Sequence, residues 1–321
     1  LGLYGYRRPT TPRLDDWAGG ALVFNNAYAP SATTHLSFPA FLIGKNVESV
    51  RWEYVKDRAR VEAAAGQLTL AERLHGLGYR SAAVISPFIA HLPSVTRGFD
   101  QVVTEHRTVF AHDGQGATGA AIDALGLQRP EADKPFFVLT YYEDPHMPYD
   151  THGPGYPSYG SEASDVYDGE LSYVDRHVSM LLDYLKLHAQ VDARTIVVIT
   201  SDHGEELGER GGTSHGKNCN EESVRVPLLV RVPGLPAARI DTRVASIDIV
   251  PTILQLIGAV ANEQELDGRS LLGTLGEAPV PAAVRCAITN QGSTLIGRPF
   301  YEHAVRYRDR VSGETSTRTA R

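Results

Sequence analysis

Apolar and polar positions follow two rhythms along this chain. Short runs rich in β-branched or small apolar residues, at 21–24, 81–86, 136–141, 194–199 and 226–232, read as buried strands. Between them the apolar positions space themselves as on helices. Thr33 or Thr34 opens one helix that runs through Phe41-Leu42-Ile43 and stops at Gly44. Thr69 and Glu72, spaced as a capping box, open another that ends at Gly78. Leu171, Val174, Val178, Leu181, Leu182 and Leu185 recur at helical spacing over 165–188, and Asp248 starts a helix that reaches Gly258. Strands alternating with helices predict an α/β fold: a mostly parallel sheet with helices on both faces. From about Gly276 turn signals outnumber pattern, which predicts one large domain over 1–275 and a small, partial C-terminal subdomain over 276–321.

Composition changes this picture little. A chain of 321 residues suits one large α/β domain. A net charge of -7 without any block of like charges argues against nucleic acid or an anionic membrane surface as partner. Two cysteines, Cys219 and Cys286, make neither a disulfide framework nor a cysteine zinc site. No apolar run nears the roughly 20 residues that span a bilayer, so membrane contact is expected only through segments outside this chain.

The chemistry gathers where strands end. The run 194–199 leads directly into Thr200-Ser201-Asp202-His203-Gly204-Glu205-Glu206, with Ser214-His215-Gly216-Lys217 just after. In open α/β sheets that edge collects ligands. A carboxylate and an imidazole side by side, with a second imidazole downstream, form a ligand set for a divalent metal, and the nitrogen ligand favours zinc or manganese over calcium. His146, in Asp144-Pro145-His146-Met147-Pro148, follows another strand and reads as a second-metal ligand or a donor to an anionic substrate oxygen. Thr34 reads locally as a helix cap; a helix N-terminus is also where an anion binds and a hydroxyl nucleophile is activated. Lys217 reads as an anion clamp or a solvated lysine, and Arg51 as a surface residue.

Together these segments resemble the sulfatase-like branch of the alkaline phosphatase superfamily. The resemblance is carried by Tyr4-Gly5-Tyr6-Arg7-Arg8-Pro9, the Thr34 region up to Gly44, Asp144-Pro145-His146-Met147-Pro148-Tyr149, the stretch 201–216, Arg225 to Gly234, Asp248-Ile249-Val250-Pro251-Thr252 and Leu266-Asp267-Gly268-Arg269-Ser270-Leu271. It implies an alkaline-phosphatase-like fold, with Thr34 at the nucleophile position and as a metal contact. It further implies Asp202 and His203 as the late metal pair, and His146 and His215 as residues that hold substrate or a second metal.

Two departures follow. Sulfatases proper carry a Cys or Ser at the nucleophile, oxidised to formylglycine; a Thr cannot undergo that oxidation, and resembles instead the phosphoethanolamine transferases and phosphodiesterases. The family's first acidic ligand ends a strand just before the Gly-Tyr segment, and this chain opens at Leu1, past that point. The first strand is therefore expected to be missing, a slot to stand open beside the 196–198 strand, and the metal site to lack one carboxylate; Asp15 and Asp16 lie in the following helix and substitute poorly.

The expected function is metal-dependent hydrolysis of phosphate esters, diesters or phosphonates, with sulfate esters also in range, through a covalent Thr34 intermediate. His146, His215 and Lys217 would hold oxygens or protonate the leaving group. One alternative is a phosphoethanolamine-type transferase with a lipid donor; another is a non-catalytic sulfatase-like binding protein. The expected partner is a small-molecule, lipid or glycan ester, and the resemblance implies a periplasmic or extracytoplasmic setting.

Overall fold

The structure is a computed structural model. It describes residues 1–55, 60–104, 113–126, 134–259 and 265–276, and the backbone of four further strands between 286 and 319. The chain forms two compact units interleaved in sequence: Leu1–Leu22, Ala71–Val197 and Val230–Ala237 make the first, and Val23–Leu70, Val198–Leu229 and Ala238–Arg321 the second.

The first unit is built on a parallel sheet. Arg80–Val84 is its middle strand, with Gln101–Val103 on one side and Phe136–Thr140 on the other, both parallel to it. The Gly114–Leu125 helix packs on this sheet through Ala117, Ala120 and Ala121, which cluster with Val84. Its glycine- and alanine-rich sequence has too little apolar contrast to announce a helix, although small side chains suit close approach to a sheet. Asp113 caps it, accepting the Gly116 N–H at 2.8 Å.

The expected helix over 165–188 is Ala163–Leu187. Its burial differs from the pattern: Asp168, Glu170, Ser172, Asp175, His177 and Ser179 are buried, whereas Leu171, Val174, Val178 and Leu181 are half-buried. The polar side chains act as staples for loops. Asp168 accepts from Arg8 and from the Tyr6 hydroxyl, both at 2.7 Å. Asp175 accepts the Leu14 N–H at 2.8 Å and the Arg13 N–H at 3.2 Å, satisfying the open end of the Pro12–Trp17 helix. Asp15 is likewise committed locally, to the Leu3 N–H at 3.0 Å and the Thr11 hydroxyl at 3.1 Å.

In the second unit the Thr34–Ile43 helix is buried on nearly every side, and its Leu36, Ala40 and Ile43 join Val47, Val50 and Ala63 in one core cluster. The chain leaves the helix at Gly44, as expected. A four-stranded sheet ordered Ala238–Ile240, Leu22–Phe24, Leu228–Arg231, Val197–Thr200 has most of its residues here. The last strand starts later than the pattern predicts, because the Arg194 and Thr195 N–H groups close the turn after the Ala189–Asp192 helix, on the carbonyls of Val191 and Asp192. Among the described residues this strand pairs with Leu228–Arg231 alone, and all four of its residues are half-buried.

The expected strand over 226–232 is divided. Pro227 has no N–H for a ladder, so Leu228–Arg231 joins that sheet while Arg225–Val226 pairs antiparallel with Ala27–Tyr28. Val244–Ala245 flanks Ala27–Tyr28 on the other side, in parallel. In the C-terminal segment Cys286–Asn290, Ser293–Gly297, Ala304–Arg308 and Thr315–Thr319 form an antiparallel sheet in chain order. No described helix is long and apolar enough to cross a membrane.

Asp248 ties this unit together. It is buried, and its two oxygens accept the N–H groups of Ala245 at 2.9 Å and Arg269 at 2.8 Å. Burial outweighs these donors and pushes its carboxyl up from 3.8 to about 6. Between those values the unfolded chain gives up this proton and the folded chain keeps it, so the contribution of Asp248 to stability falls as pH rises through that window. One pKa unit is worth about 1.4 kcal/mol. The difference in unfolding free energy between the parent and Asp248→Asn should therefore be larger at pH 4 than at pH 7, by about 2 kcal/mol in denaturant titrations. An equal difference at both pH values would refute the buried, raised carboxyl.

Candidate metal and catalytic centre

Thr34 is the first residue of its helix, with Thr33 as the extended N-cap. Ser31 orders the entry: its hydroxyl lies 3.1 Å from the Thr33 hydroxyl and accepts the Thr33 N–H at 3.2 Å. Thr34 Oγ1 lies 3.0 Å from His203 Nε2. The same nitrogen is 3.5 Å from Asp202 Oδ2. All three side chains are more than nine-tenths buried.

The tautomer of His203 follows from its other nitrogen. Nδ1 lies 2.8 Å from the Gly204 carbonyl oxygen, which only accepts, so Nδ1 carries the hydrogen and the neutral ring offers a lone pair at Nε2. Nε2 thus accepts the Thr34 hydroxyl hydrogen in this structure and is the natural metal-binding atom. Asp202 Oδ2 is buried without a hydrogen-bond partner among the described residues. A buried carboxylate oxygen left in this way is costly, and a cation at this position would satisfy it. An imidazole nitrogen, a carboxylate and a hydroxyl oxygen are donors of the kind zinc and manganese accept, so these residues fit a divalent metal.

The loop from 203 to 223 is shaped by close backbone contacts. A Cβ on Gly204 would fall 2.1 Å from the Glu222 carbonyl oxygen, and the Gly204 N–H bonds the Ser223 carbonyl at 2.8 Å. A Cβ on Gly216 would fall 2.7 Å from Thr33 Cγ2, and its φ of +79° is left-handed. Between these glycines Glu206–Leu207 pairs antiparallel with Thr213–Ser214. The buried Glu206 accepts from the Asn218 amide at 2.8 Å and the Asn220 amide at 3.0 Å, fastening the far end of the loop. This hairpin brings the His215 ring to 4.2 Å from the His203 ring, centroid to centroid. His215 Nδ1 lies 3.1 Å from Glu205 Oε2. Neither Glu205 nor Glu206 carried a role in the sequence reading, although both stand in the same acidic run; the hairpin register that assigns their partners has no strong pattern in so short a ladder.

Lys217 is exposed and donates to the Thr213 carbonyl at 2.7 Å, so in this structure its ammonium is engaged by its own turn. Arg51 is exposed, as expected, and braces a hairpin through the Ala65 carbonyl. His146 belongs to the first unit. It is half-buried, its N–H bonds the Glu143 carbonyl at 2.8 Å, and its Nδ1 donates to the Met147 carbonyl at 2.6 Å. The loop that carries it is clamped at both ends. Asp144 accepts the Gly114 N–H at 3.0 Å. At the other end Glu170 meets His152 Nε2 and the Asp150 N–H, each at 2.5 Å, and the His152 ring stacks on Tyr173 at 3.6 Å. Asp144, His152 and Glu170 offer donor atoms within 4.8 Å of one another. Burial holds the Asp144 carboxyl up at about 6 and the Tyr173 hydroxyl up at about 12. The helical spacing of Glu170 gave no sign of this role, because its partners lie in a loop without periodicity.

The profile of the sulfatase family matches residues 1–259. Over 106 residues, 33% of this chain, the sequence is 38% identical to the extracellular sulfatase SULF-1 homolog of Drosophila melanogaster, a match that takes in 9% of that protein. The matched stretches span well under two thirds of the curated relatives. Two solved structures share the fold. BT4656 in complex with its substrate D-glucosamine-2-N,6-O-disulfate aligns with a TM-score of 0.73 at 18% identity, over 99% of this chain and 88% of that one. The phosphonate monoester hydrolase of Agrobacterium radiobacter aligns with a TM-score of 0.71 at 17% identity, over 99% and 86%. The α/β architecture is shared with these structures and with a protein in the alkaline phosphatase superfamily from Vibrio parahaemolyticus, and on the profile match the chain belongs to the sulfatase family.

Proposed function

We propose that this protein is a metal-dependent hydrolase of phosphate esters, diesters or phosphonates, with Thr34 as nucleophile. The observation that supports it is the meeting of Thr34 Oγ1 and His203 Nε2 at 3.0 Å, beside a buried Asp202 oxygen that has no hydrogen-bond partner among the described residues. A divalent metal held by Asp202, His203 and Thr34, zinc or manganese by its imidazole ligand, would lower the pKa of the Thr34 hydroxyl and neutralise charge on the ester oxygens. Thr34 Oγ1 forms the new bond to phosphorus as the bond to the leaving oxygen breaks in line. Water then releases the product from the threonine ester. His215, held beside His203, binds an ester oxygen or protonates the leaving group, and His146 and Lys217 are proposed to assist in the same way.

Sulfate esters are the second substrate class, and the names of the relatives favour them. Thr34 weighs the other way, because a threonine cannot become the formylglycine on which ordinary sulfatase chemistry depends. The relative's extracellular name supports a setting outside the cytoplasm. A lipid or glycan ester is the proposed natural substrate.

Turnover of bis(4-nitrophenyl) phosphate, a 4-nitrophenyl phosphonate and 4-nitrophenyl sulfate, each with zinc or manganese added, tests the reading and ranks the substrates. Thr34→Ala should lose about a thousandfold or more in kcat, while Thr34→Ser keeps measurable activity. Acid quenching during turnover should leave phosphate or phosphonate on the Thr34 peptide of the parent. Parent-level turnover by Thr34→Ala would end its assignment as nucleophile.

Two further variants probe the surroundings. His215→Ala should cost on the order of a hundredfold in turnover. Gly204→Ala must displace the loop that follows His203, and should weaken zinc or manganese binding about tenfold or more, read by metal titration. Unchanged metal affinity in that variant would show that the His203 loop does not need its observed path.

A further inference from the structure

Beside His203 and His215 in the second unit stands a side chain that the reaction above does not use, Glu205. The antiparallel register sets Ser214 opposite Glu206, which places the next pair outward, His215 and Glu205, across from one another. Glu205 Oε2 lies 3.1 Å and Oε1 3.4 Å from His215 Nδ1. The Glu205 side chain is 6% exposed and that of His215 17%. Ser214, immediately before His215, is the one non-glycine residue with a left-handed backbone among those described, at a φ of +68°. That conformation is unfavourable for serine and persists where neighbouring contacts enforce it. Two departures from ordinary loop behaviour, a strained backbone and an enclosed carboxylate, therefore converge on the orientation of one imidazole.

We infer that Glu205 is the positioning residue for His215: its carboxylate holds a hydrogen on Nδ1 and so fixes the ring with Nε2 directed away from Glu205, where the lone pair of the neutral ring accepts a proton and the N–H of the protonated ring donates to an ester oxygen. A carboxylate only accepts, so Nδ1 must donate. The bond made by one imidazole nitrogen decides which nitrogen carries the hydrogen. With Nδ1 committed, the ring can neither flip nor exchange tautomers without breaking a bond inside an enclosed site. His203 obtains the same result from the carbonyl of Gly204, a backbone group that mutation leaves in place. His215 depends on a side chain, so its orientation can be removed without touching the ring. The inference rests on the role proposed above for His215 in the reaction, but its structural half stands apart from that role.

The test uses the full chain with 15N-labelled histidine, in the parent, Glu205→Gln and Glu205→Ala, at a pH where the ring is neutral. The parent and Glu205→Gln, whose amide oxygen also accepts from Nδ1, should show His215 with the hydrogen on Nδ1. Glu205→Ala should shift it toward the Nε2-protonated form or a mixture. An unchanged tautomer in Glu205→Ala overturns the inference, whether or not the protein turns over any ester. The kinetic half compares the same variants in the presence and absence of His215→Ala. Glu205→Ala should lower kcat about tenfold with little change in KM, Glu205→Gln should recover most of the loss, and in the His215→Ala background Glu205→Ala should have no further effect. An equal loss in both backgrounds would show that Glu205 acts by some route other than His215 and would overturn the inference. A parent inactive on every ester would instead sink the proposed function, with the tautomer measurement still deciding the role of Glu205.

Discussion

A buried carboxylate oxygen without a hydrogen-bond partner among the described residues, Asp202 Oδ2, sets the terms for the second unit. Burying such a group in a site with no compensating donor costs several kcal/mol, so its surroundings must be fixed firmly enough to prevent the loop from relaxing toward water. The bonds around it do this. The Ser37 hydroxyl donates to the Asp202 carbonyl from within the buried helix, and the Ser201 hydroxyl donates to the His203 carbonyl. Gly204 lies so close to the Glu222 carbonyl that no side chain fits. The helix whose first residue is Thr34 is buried nearly all round, so the hydroxyl is delivered by a rigid element. An expensive polar centre on a rigid frame is the arrangement expected of a site built to hold a charged ligand.

The three histidines expected to act share a further feature. Each engages Nδ1 locally: His203 on the Gly204 carbonyl, His146 on the Met147 carbonyl, His215 on Glu205. His152 does the reverse, spending Nε2 on Glu170 and its ring face on Tyr173. The contrast is one of hydrogen bonds alone: three rings are anchored through Nδ1 and one through Nε2.

Much of the fold was legible because the informative signals were local. Gly44 as a helix stop, the spacing of Leu182 and Leu185, and the β-branched run at 197–199 follow from periodicity and punctuation. The Gly114–Leu125 helix was not legible, since a helix of glycine and alanine carries little contrast. The division at Pro227 is a proline effect that an apolar run conceals. In the site, the neighbours Asp202 and His203 stood out, and Thr34 stood out through the resemblance. Glu205, Glu170 and His152 did not, because their meaning lies in partners 10 or 18 residues away that no short pattern links. Lys217 was legible as a charge near a site; its bond to its own turn was not.

The chemistry that remains open to the site depends on what occupies position 34. A threonine offers one hydroxyl and a β-methyl. It can form an ester to phosphorus or sulfur, but to release that ester it must rely on water attacking the same centre, as it has no second hydroxyl on the carbon to expel the group. Attack by water is aided by groups that can hold the oxygens and move a proton, and a ring with a fixed tautomer does this better than one free to turn. In the proposed reaction the buried Thr34, the lone pair at His203 Nε2 and the Glu205–His215 pair therefore act together. A nucleophile that makes its second step harder gains most from an imidazole that is held in place.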